Sequence, residues 1–421
     1  MELYHYNKRN KGEAMRQIGI IGAGASGIMA AISAARANKQ AKIILLEQKE
    51  KIGKKILATG NGRCNLTNQH MDISCYRGGN LDFVNDVLNQ FGYKDTFAFF
   101  SSLGLMMKLR GEYVYPRSNQ ASSVLDLLKI ELNRLDVQIH TEVYVEQIEK
   151  TKKGFQIYTK KKSFHVDKVI LACGGKASPS LGSDGSGYSL AKSMGHKISP
   201  VFPALVQLIV EKHPFVKASG VRTDAKVIAL KNRKIIAKDT GELQITAYGI
   251  SGIPVFQISR YIAKGIYEKK SMQIEIDFFP ELSEEMLFQH FCNSNKELSI
   301  KECMTGIINQ KLIPILLQQS HIPISQKTSD LTKHQLECLV KVCKHNLLDI
   351  QNTTGFDNAQ VCAGGVSLNE INPFTMESIY VEGLYFAGEL LDVDGICGGY
   401  NLQWAWSTGY LAGKDAALKK I

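Results

Sequence analysis

Six consecutive residues, Gly22-Ala23-Gly24-Ala25-Ser26-Gly27, and a carboxylate twenty positions beyond them, Glu47, have types and spacing that point to chemistry. The pattern G-x-G-x-x-G suits the diphosphate of a dinucleotide. Gly22 permits a tight turn, Gly24 lets the backbone approach a pyrophosphate, and Gly27 lets a helix pack closely on a strand. Helical N–H groups from Ala25 and Ser26 onward then face the phosphates. Glu47 stands where a ribose hydroxyl would donate to it, and Gln48 belongs to the same nucleotide end.

These residues need a strand, a helix and a second strand to hold them. Ile18–Ile21 is a short apolar run that reads as a buried strand. Ile28–Ala37 is mostly alanine and aliphatic, which suits a helix packed on a sheet. Ile43–Leu46 is a second buried strand that ends at Glu47. Ile18–Ala35 is uncharged over eighteen residues, but its four glycines and two serines argue against a membrane span. Its direct continuation into a strand ending in an acid argues against a signal peptide.

Three further stretches could meet a ligand. Gly53–Asn68 is dense in glycine, asparagine and threonine, with Lys54, Lys55 and Arg63 to offer charge and Gly62 to let backbone come close. Cys64 lies inside it and counts among the cofactor-binding candidates; a thiol there invites a redox role, but a single cysteine without a resolving partner reads as structural in its chemistry. Lys168–Leu171 is a buried strand running into Ala172-Cys173-Gly174-Gly175, an ordinary strand-to-helix turn or a second nucleotide contact. Leu384–Ala387 ends in Gly388-Glu389, and the glycines up to Gly399 precede an apolar helix starting near Asn401 and Leu402.

The 421 residues are 44% hydrophobic and 22% charged, an ordinary globular composition with room for two or three domains. The net charge of +11 comes from lysines spread along the chain, a solvated surface rather than an RNA-binding face. Nine cysteines without C-x-x-C or zinc spacing, and without an export signal, fit reduced thiols in a cytoplasm and no metal. The expected division is a disordered lead at 1–14 with Met15 as the start, then a cofactor domain at 15–200. An inserted β-barrel-like domain at 201–280, a helical lobe at 281–346 and a return strand at 347–355 follow, and 356–421 completes the cofactor domain. Leu81–Gly104 is expected as amphipathic helix, and Gly249–Pro254 as the start of a short helix reaching Tyr261.

Several words in this chain resemble the bacterial FAD-dependent oxidoreductases of the aminoacetone-oxidase-like or BaiN-like family, NAD(P)/FAD-dependent oxidoreductases. They are GAGASG at 22–27, TGNGRCNLTN at 59–68, YPRS at 115–118, LACGG at 171–175 and AGGVSLNEINPFTMES at 363–378. YFAGELLDVDG and GGYNLQWAWSTG close the set, and the likeness spans 16–415. The resemblance implies an α/β fold: a discontinuous, glutathione-reductase-type, Rossmann-like FAD-binding domain with an inserted β-barrel and helical lobe. It implies FAD, with Gly22, Gly24 and Gly27 on the pyrophosphate and Glu47 on the adenosine ribose. Val145 would offer backbone to adenine, while Ala172 and Gly174 would line the AMP half. Glu389 would reach the ribityl chain or pyrophosphate, and Asn401 and Leu402 the flavin pyrimidine edge. Cys397 departs from the family, whose members commonly carry a small hydroxyl residue there.

The expected function is oxidation or reduction of a small organic molecule by hydride transfer at flavin N5. NAD(P)H docks transiently if it is the electron donor, since no second glycine fingerprint occurs. No membrane partner is expected. The alternatives are a flavin-dependent RNA-modifying protein and a non-catalytic flavin redox sensor.

Overall fold

The computed structural model describes residues 16–419; the lead at 1–14 and the expected start at Met15 lie outside the described residues. Two compact units form. The first takes the chain up to Gly175, Pro179–Pro200 and everything from Gly364; the second takes Lys176–Ser178 and Val201–Ala363.

The first unit is built on β1 (Gln17–Ile21), α1 (Ala25–Ala37) and β2 (Lys42–Leu46). Then come α2 (Lys54–Ala58), β3 (Thr67–Asn68), β4 (Met107–Arg110), β5 (Tyr113–Pro116) and β6 (Gln138–His140). The unit closes with β7 (Lys168–Leu171), β8 (Leu384–Phe386) and α3 (Tyr400–Leu418). Five strands pair in the order β8-β7-β1-β2-β6, all parallel. Ile18, Ile20, Leu45, Ile170 and Phe386 are fully buried, as both faces of a parallel sheet require.

Helices α1 and α3 meet backbone to backbone. A Cβ on Gly409 would lie 2.4 Å from Ser26 O, and one on Gly413 2.2 Å from Ala30 O. Any side chain there would force the helices apart. The stretch expected as one helix at 81–104 is two, Leu81–Gln90 and Tyr93–Ser102. Gly92 interrupts it, and the Asp95 carboxylate caps the second helix by accepting from Gly92 N–H at 2.9 Å.

The second unit holds a closed six-stranded barrel. Its strands run in the order Leu208–Val210, Gly249–Gly252, Lys234–Ile245, Arg222–Lys231, Met272–Asp277 and Asn346–Thr353. Gly249–Gly252 is thus a barrel strand and not the start of a helix. A Cβ on Gly249 would sit 2.1 Å from Leu208 O, so glycine is what lets these strands pair. The helix begins at Ile253 and runs to Tyr267, past Tyr261, burying Val255, Ile258 and Ile262. Helices Glu284–Cys292, Ile300–Thr305, Ile313–Gln319 and Lys333–Lys344 complete the unit. Among the described residues no helix is long and apolar enough to cross a membrane.

Candidate functional site

Each glycine of the first loop has a distinct steric reason. Gly22 has φ +100°, and a Cβ there would lie 2.4 Å from Ala172 O at the end of β7. A Cβ on Gly27 would meet Gly22 O at 1.8 Å, so only glycine lets α1 follow β1 so tightly. Gly24, the N-cap of α1, faces nothing within 4 Å. Crowding behind and open space in front make a cradle at the N-terminus of a thirteen-residue helix, which suits a diphosphate.

Glu47 is 8% exposed and lies against this loop. Its Oε2 accepts from Ala23 N–H at 2.9 Å and its Oε1 from Lys49 N–H at 2.8 Å. Burial pushes its carboxyl above the ordinary range, opposed by the N–H groups of Lys49 and Ala23. The carboxylate therefore braces the glycine turn, with a second lone pair on each oxygen left for a ribose hydroxyl. Gln48 Nε2 donates to Gly182 O, holding the 182 turn over the same end. Ala172 and Gly174 lie beside Gly22 and Ser183 respectively, and Val145, 6% exposed, opens the strand Val145–Thr151.

The opposite wall comes from β8. A Cβ on Gly388 would fall 2.4 Å from Ser26 Oγ, so this turn closes directly on the start of α1. Gly388 N–H donates to Thr408 Oγ1 at 2.9 Å, and Trp404 Nε1 donates to Gly388 O at 3.2 Å, fixing the turn to α3. Glu389 is paired with Lys55 at 2.6 Å. Lys54, expected at the site, is paired with Glu50 at 3.1 Å. The five-residue α2 turns adjacent lysines to different sides, a phase that composition does not reveal.

The second helix N-terminus is that of α3. Its first intrahelical bond runs from Gln403 N–H to Gly399 O at 2.9 Å, so the N–H groups of Tyr400, Asn401 and Leu402 precede it. The Asn401 side chain is used structurally, since Gly395 N–H donates to Oδ1 and Nδ2 donates to Gly395 O, each at 2.8 Å. Gly399 packs on the 59–68 loop: a Cβ there would meet Thr67 O at 2.8 Å and Asn65 Oδ1 at 3.0 Å. Within this loop Gly62 and Arg63 are exposed. Cys64, counted among the binding residues from sequence, is 0% exposed, so a bound group cannot touch it. Burial pushes its thiol up to about 12, which removes it as a thiolate nucleophile.

Residues 16–415 match the model described as HI0933-like protein Rossmann domain. The chain belongs to this family. It is 61% identical over 407 residues to 3-dehydro-bile acid delta(4,6)-reductase of Clostridium scindens, covering 96% of this chain and 99% of that protein. It is 30% identical over 408 residues to ribosomal RNA dihydrouridine synthase of Escherichia coli, covering 95% and 98%. Among solved structures, the open conformation of a flavocytochrome c3 fumarate reductase superposes with TM-score 0.52 at 14% identity, covering 96% of this chain and 78% of that one. That similarity concerns the fold alone.

Sequence reading missed the residues that brace the site rather than line it. Thr67 Oγ1 donates to Gln403 Oε1 at 2.6 Å, and Trp406 Nε1 donates to Leu66 O at 3.0 Å, tying the 59–68 loop to α3. The words TGNGRCNLTN and GGYNLQWAW carried these residues as family signatures, but only the fold shows which partners they reach.

Proposed function

We propose that this chain is an FAD-dependent oxidoreductase that reduces a carbon–carbon double bond conjugated to a carbonyl in a small organic molecule. The observation that carries the reading is identity of 61%, end to end, with a protein whose name describes such a reduction. The glycine cradle agrees with it, because open space at Gly24 between crowded neighbours is what a dinucleotide pyrophosphate needs.

In this reading Gly22, Gly24, Ala25, Ser26 and Gly27 hold the pyrophosphate, and Glu47, Gln48, Val145, Ala172 and Gly174 the adenosine half. Gly388, Glu389, Gly62 and Arg63 border the ribityl side. The N–H groups of Asn401 and Leu402 face the flavin pyrimidine edge behind Gly399, where a helix N-terminus stabilises negative charge. Once reduced by its electron donor, a bound FAD would supply the hydride from its N5, with a proton completing the reduction of the double bond. The protein excludes water at the buried turns and fixes the cofactor from both ends of the chain. The cofactor domain is divided between 15–200 and 356–421, so a fragment ending at residue 200 should not retain FAD. NAD(P)H is the proposed electron donor, and the free cysteines fit a reducing cytoplasm.

Anaerobic stopped-flow mixing of the purified yellow protein with NADH, NADPH and a panel of amines tests the donor. Fast flavin bleaching by a nicotinamide, with reoxidation by a conjugated 3-oxo steroid, is expected. Reduction by amines alone would replace the reductase reading with an oxidase. A second reading, reduction of uracil in RNA, draws on the name of the Escherichia coli relative and the net charge of +11. Salt-sensitive retention of ribosomal RNA, with reoxidation of the reduced flavin by it, would favour that reading.

A further inference from the structure

One end of the barrel gathers positive charge from two turns that lie far apart in the sequence. Lys231 and Lys234 are register partners that close the two longest barrel strands. Asn232 and Arg233 form the turn between them, with φ of +50° and +65°. A two-residue turn of this kind favours glycine at its second position, so Arg233 is held there at a conformational cost. The second turn follows the helix Ile253–Tyr267. Lys269 N–H donates to Ile266 O at 2.9 Å, and Lys270 N–H to Gly265 O at 3.0 Å. Asn232 N–H donates to Ser271 O at 3.1 Å, and the Lys231 ammonium pairs with Glu268, so the two turns lie side by side. Arg233, Lys234, Lys264, Lys269 and Lys270 are exposed, while Glu268, the acid of these turns, is already paired with Lys231.

The same end carries the two most exposed large hydrophobic side chains described in this unit, Ile235 at 64% and Tyr267 at 63%. Ile235 directly follows Lys234, and Tyr267 directly precedes Glu268. The Tyr267 ring packs edge-on against Phe202 with centroids 5.0 Å apart, which fixes one side of it and leaves the rest in water.

From this juxtaposition we infer that this end of the barrel docks on the surface of a bilayer rich in anionic phospholipid. The cations meet lipid phosphates, and Ile235 and Tyr267 enter the boundary between headgroups and chains. Tyrosine suits that boundary because its ring is apolar and its hydroxyl stays wet. A nucleic-acid backbone would take the cations but leave Ile235 in water, since an aliphatic side chain has no flat face to stack on a base. The contact is peripheral, because among the described residues no helix can span a bilayer, and it departs from the sequence expectation of no membrane partner. None of these residues belongs to the cofactor assignment, so the two readings stand or fall separately.

The test is sedimentation of the FAD-loaded protein with vesicles of phosphatidylcholine alone and of equal parts phosphatidylcholine and phosphatidylglycerol. Binding is expected to the anionic vesicles and not to the neutral ones, and it should weaken as salt is raised. Arg233→Gln, Lys269→Gln and Lys270→Gln together should weaken it by roughly a hundredfold, about fivefold for each cation lost. Lys160→Gln, Lys161→Gln and Lys162→Gln together remove as much exposed charge from the first unit and should leave it unchanged. Ile235→Ser should weaken binding by about tenfold in low and high salt alike. FAD content and thermal unfolding of each variant control for folding. Equal losses in the two triple variants would overturn the surface in favour of general charge. No binding to the anionic vesicles would overturn it too, and RNA retention lost in the first triple variant would then give these turns to a nucleic-acid backbone.

Discussion

Lys55 Nζ stands 2.6 Å from Glu389 Oε2, joining residues 334 positions apart in the chain. The pair links α2 to the turn after β8, where the proposed ribityl chain would run on from the pyrophosphate. Glu389 alone would repel phosphate; Lys55 cancels its charge.

Lys55→Met should therefore weaken FAD binding by about tenfold to a hundredfold, since it leaves a partly buried carboxylate beside an anion. Lys54→Met, which removes only a surface pair with Glu50, should bind FAD like the wild type. Titration of apo protein with FAD measures both. Equal losses for the two variants would mean general charge, not position, is at work.

Gly24→Ala and Gly27→Ala should fail in different ways. The methyl at residue 24 meets open space in the protein, so the chain should fold normally yet lose FAD. The methyl at residue 27 meets Gly22 O, so it should lower stability itself, by roughly 1–3 kcal/mol. Thermal unfolding of the two apo proteins separates the cases. A destabilised Gly24→Ala would show that no ligand space lies there.

Burial pushes the thiols of Cys64, Cys173 and Cys343 up to about 12. In the folded protein they should resist iodoacetamide at about pH 8, while the half-buried Cys303 and Cys338 react first. Mass-spectrometric mapping of the alkylated sites decides it. Early labelling of Cys64 would restore a redox role for it.

His345 places each ring nitrogen 3.0 Å from a different carboxylate, Nδ1 from Glu275 and Nε2 from Glu284. Only the imidazolium donates to both. The bond to Glu284 and then that to Glu275 raise its pKa above the ordinary 6.5. A raised folded value stabilises fully below the unfolded value and loses that contribution as pH rises through the folded one. The melting-temperature gap between wild type and His345→Gln should thus be widest near about pH 6 and close by about pH 9. A gap that widens with pH would contradict the assignment.

The glycine turn and its Glu47 brace were legible because their logic is local. Gly22, Gly24, Gly27 and Glu47 sit in one turn and two adjoining elements, so their spacing is enough to place them together. Lys55 was not, because a five-residue helix gives too little periodicity to say which of two lysines reaches Glu389. The partners of Thr67 and Trp406 lie more than three hundred residues away, and no local pattern encodes such a contact. Gly249–Gly252 misled for a related reason. Gly249 serves close strand pairing with Leu208 and Gly252 with Glu242, although their sequence resembles a loop before a helix.

The contact of Gly409 with Ser26 O and of Gly413 with Ala30 O also has a temporal side. The first helix of the sheet cannot acquire its neighbour until the last helix has left the ribosome. At about 5–20 residues per second that wait is roughly 20–80 s, during which the small apolar face of α1 stays uncovered. Closing the sheet's outer layer is then an event of the finished chain.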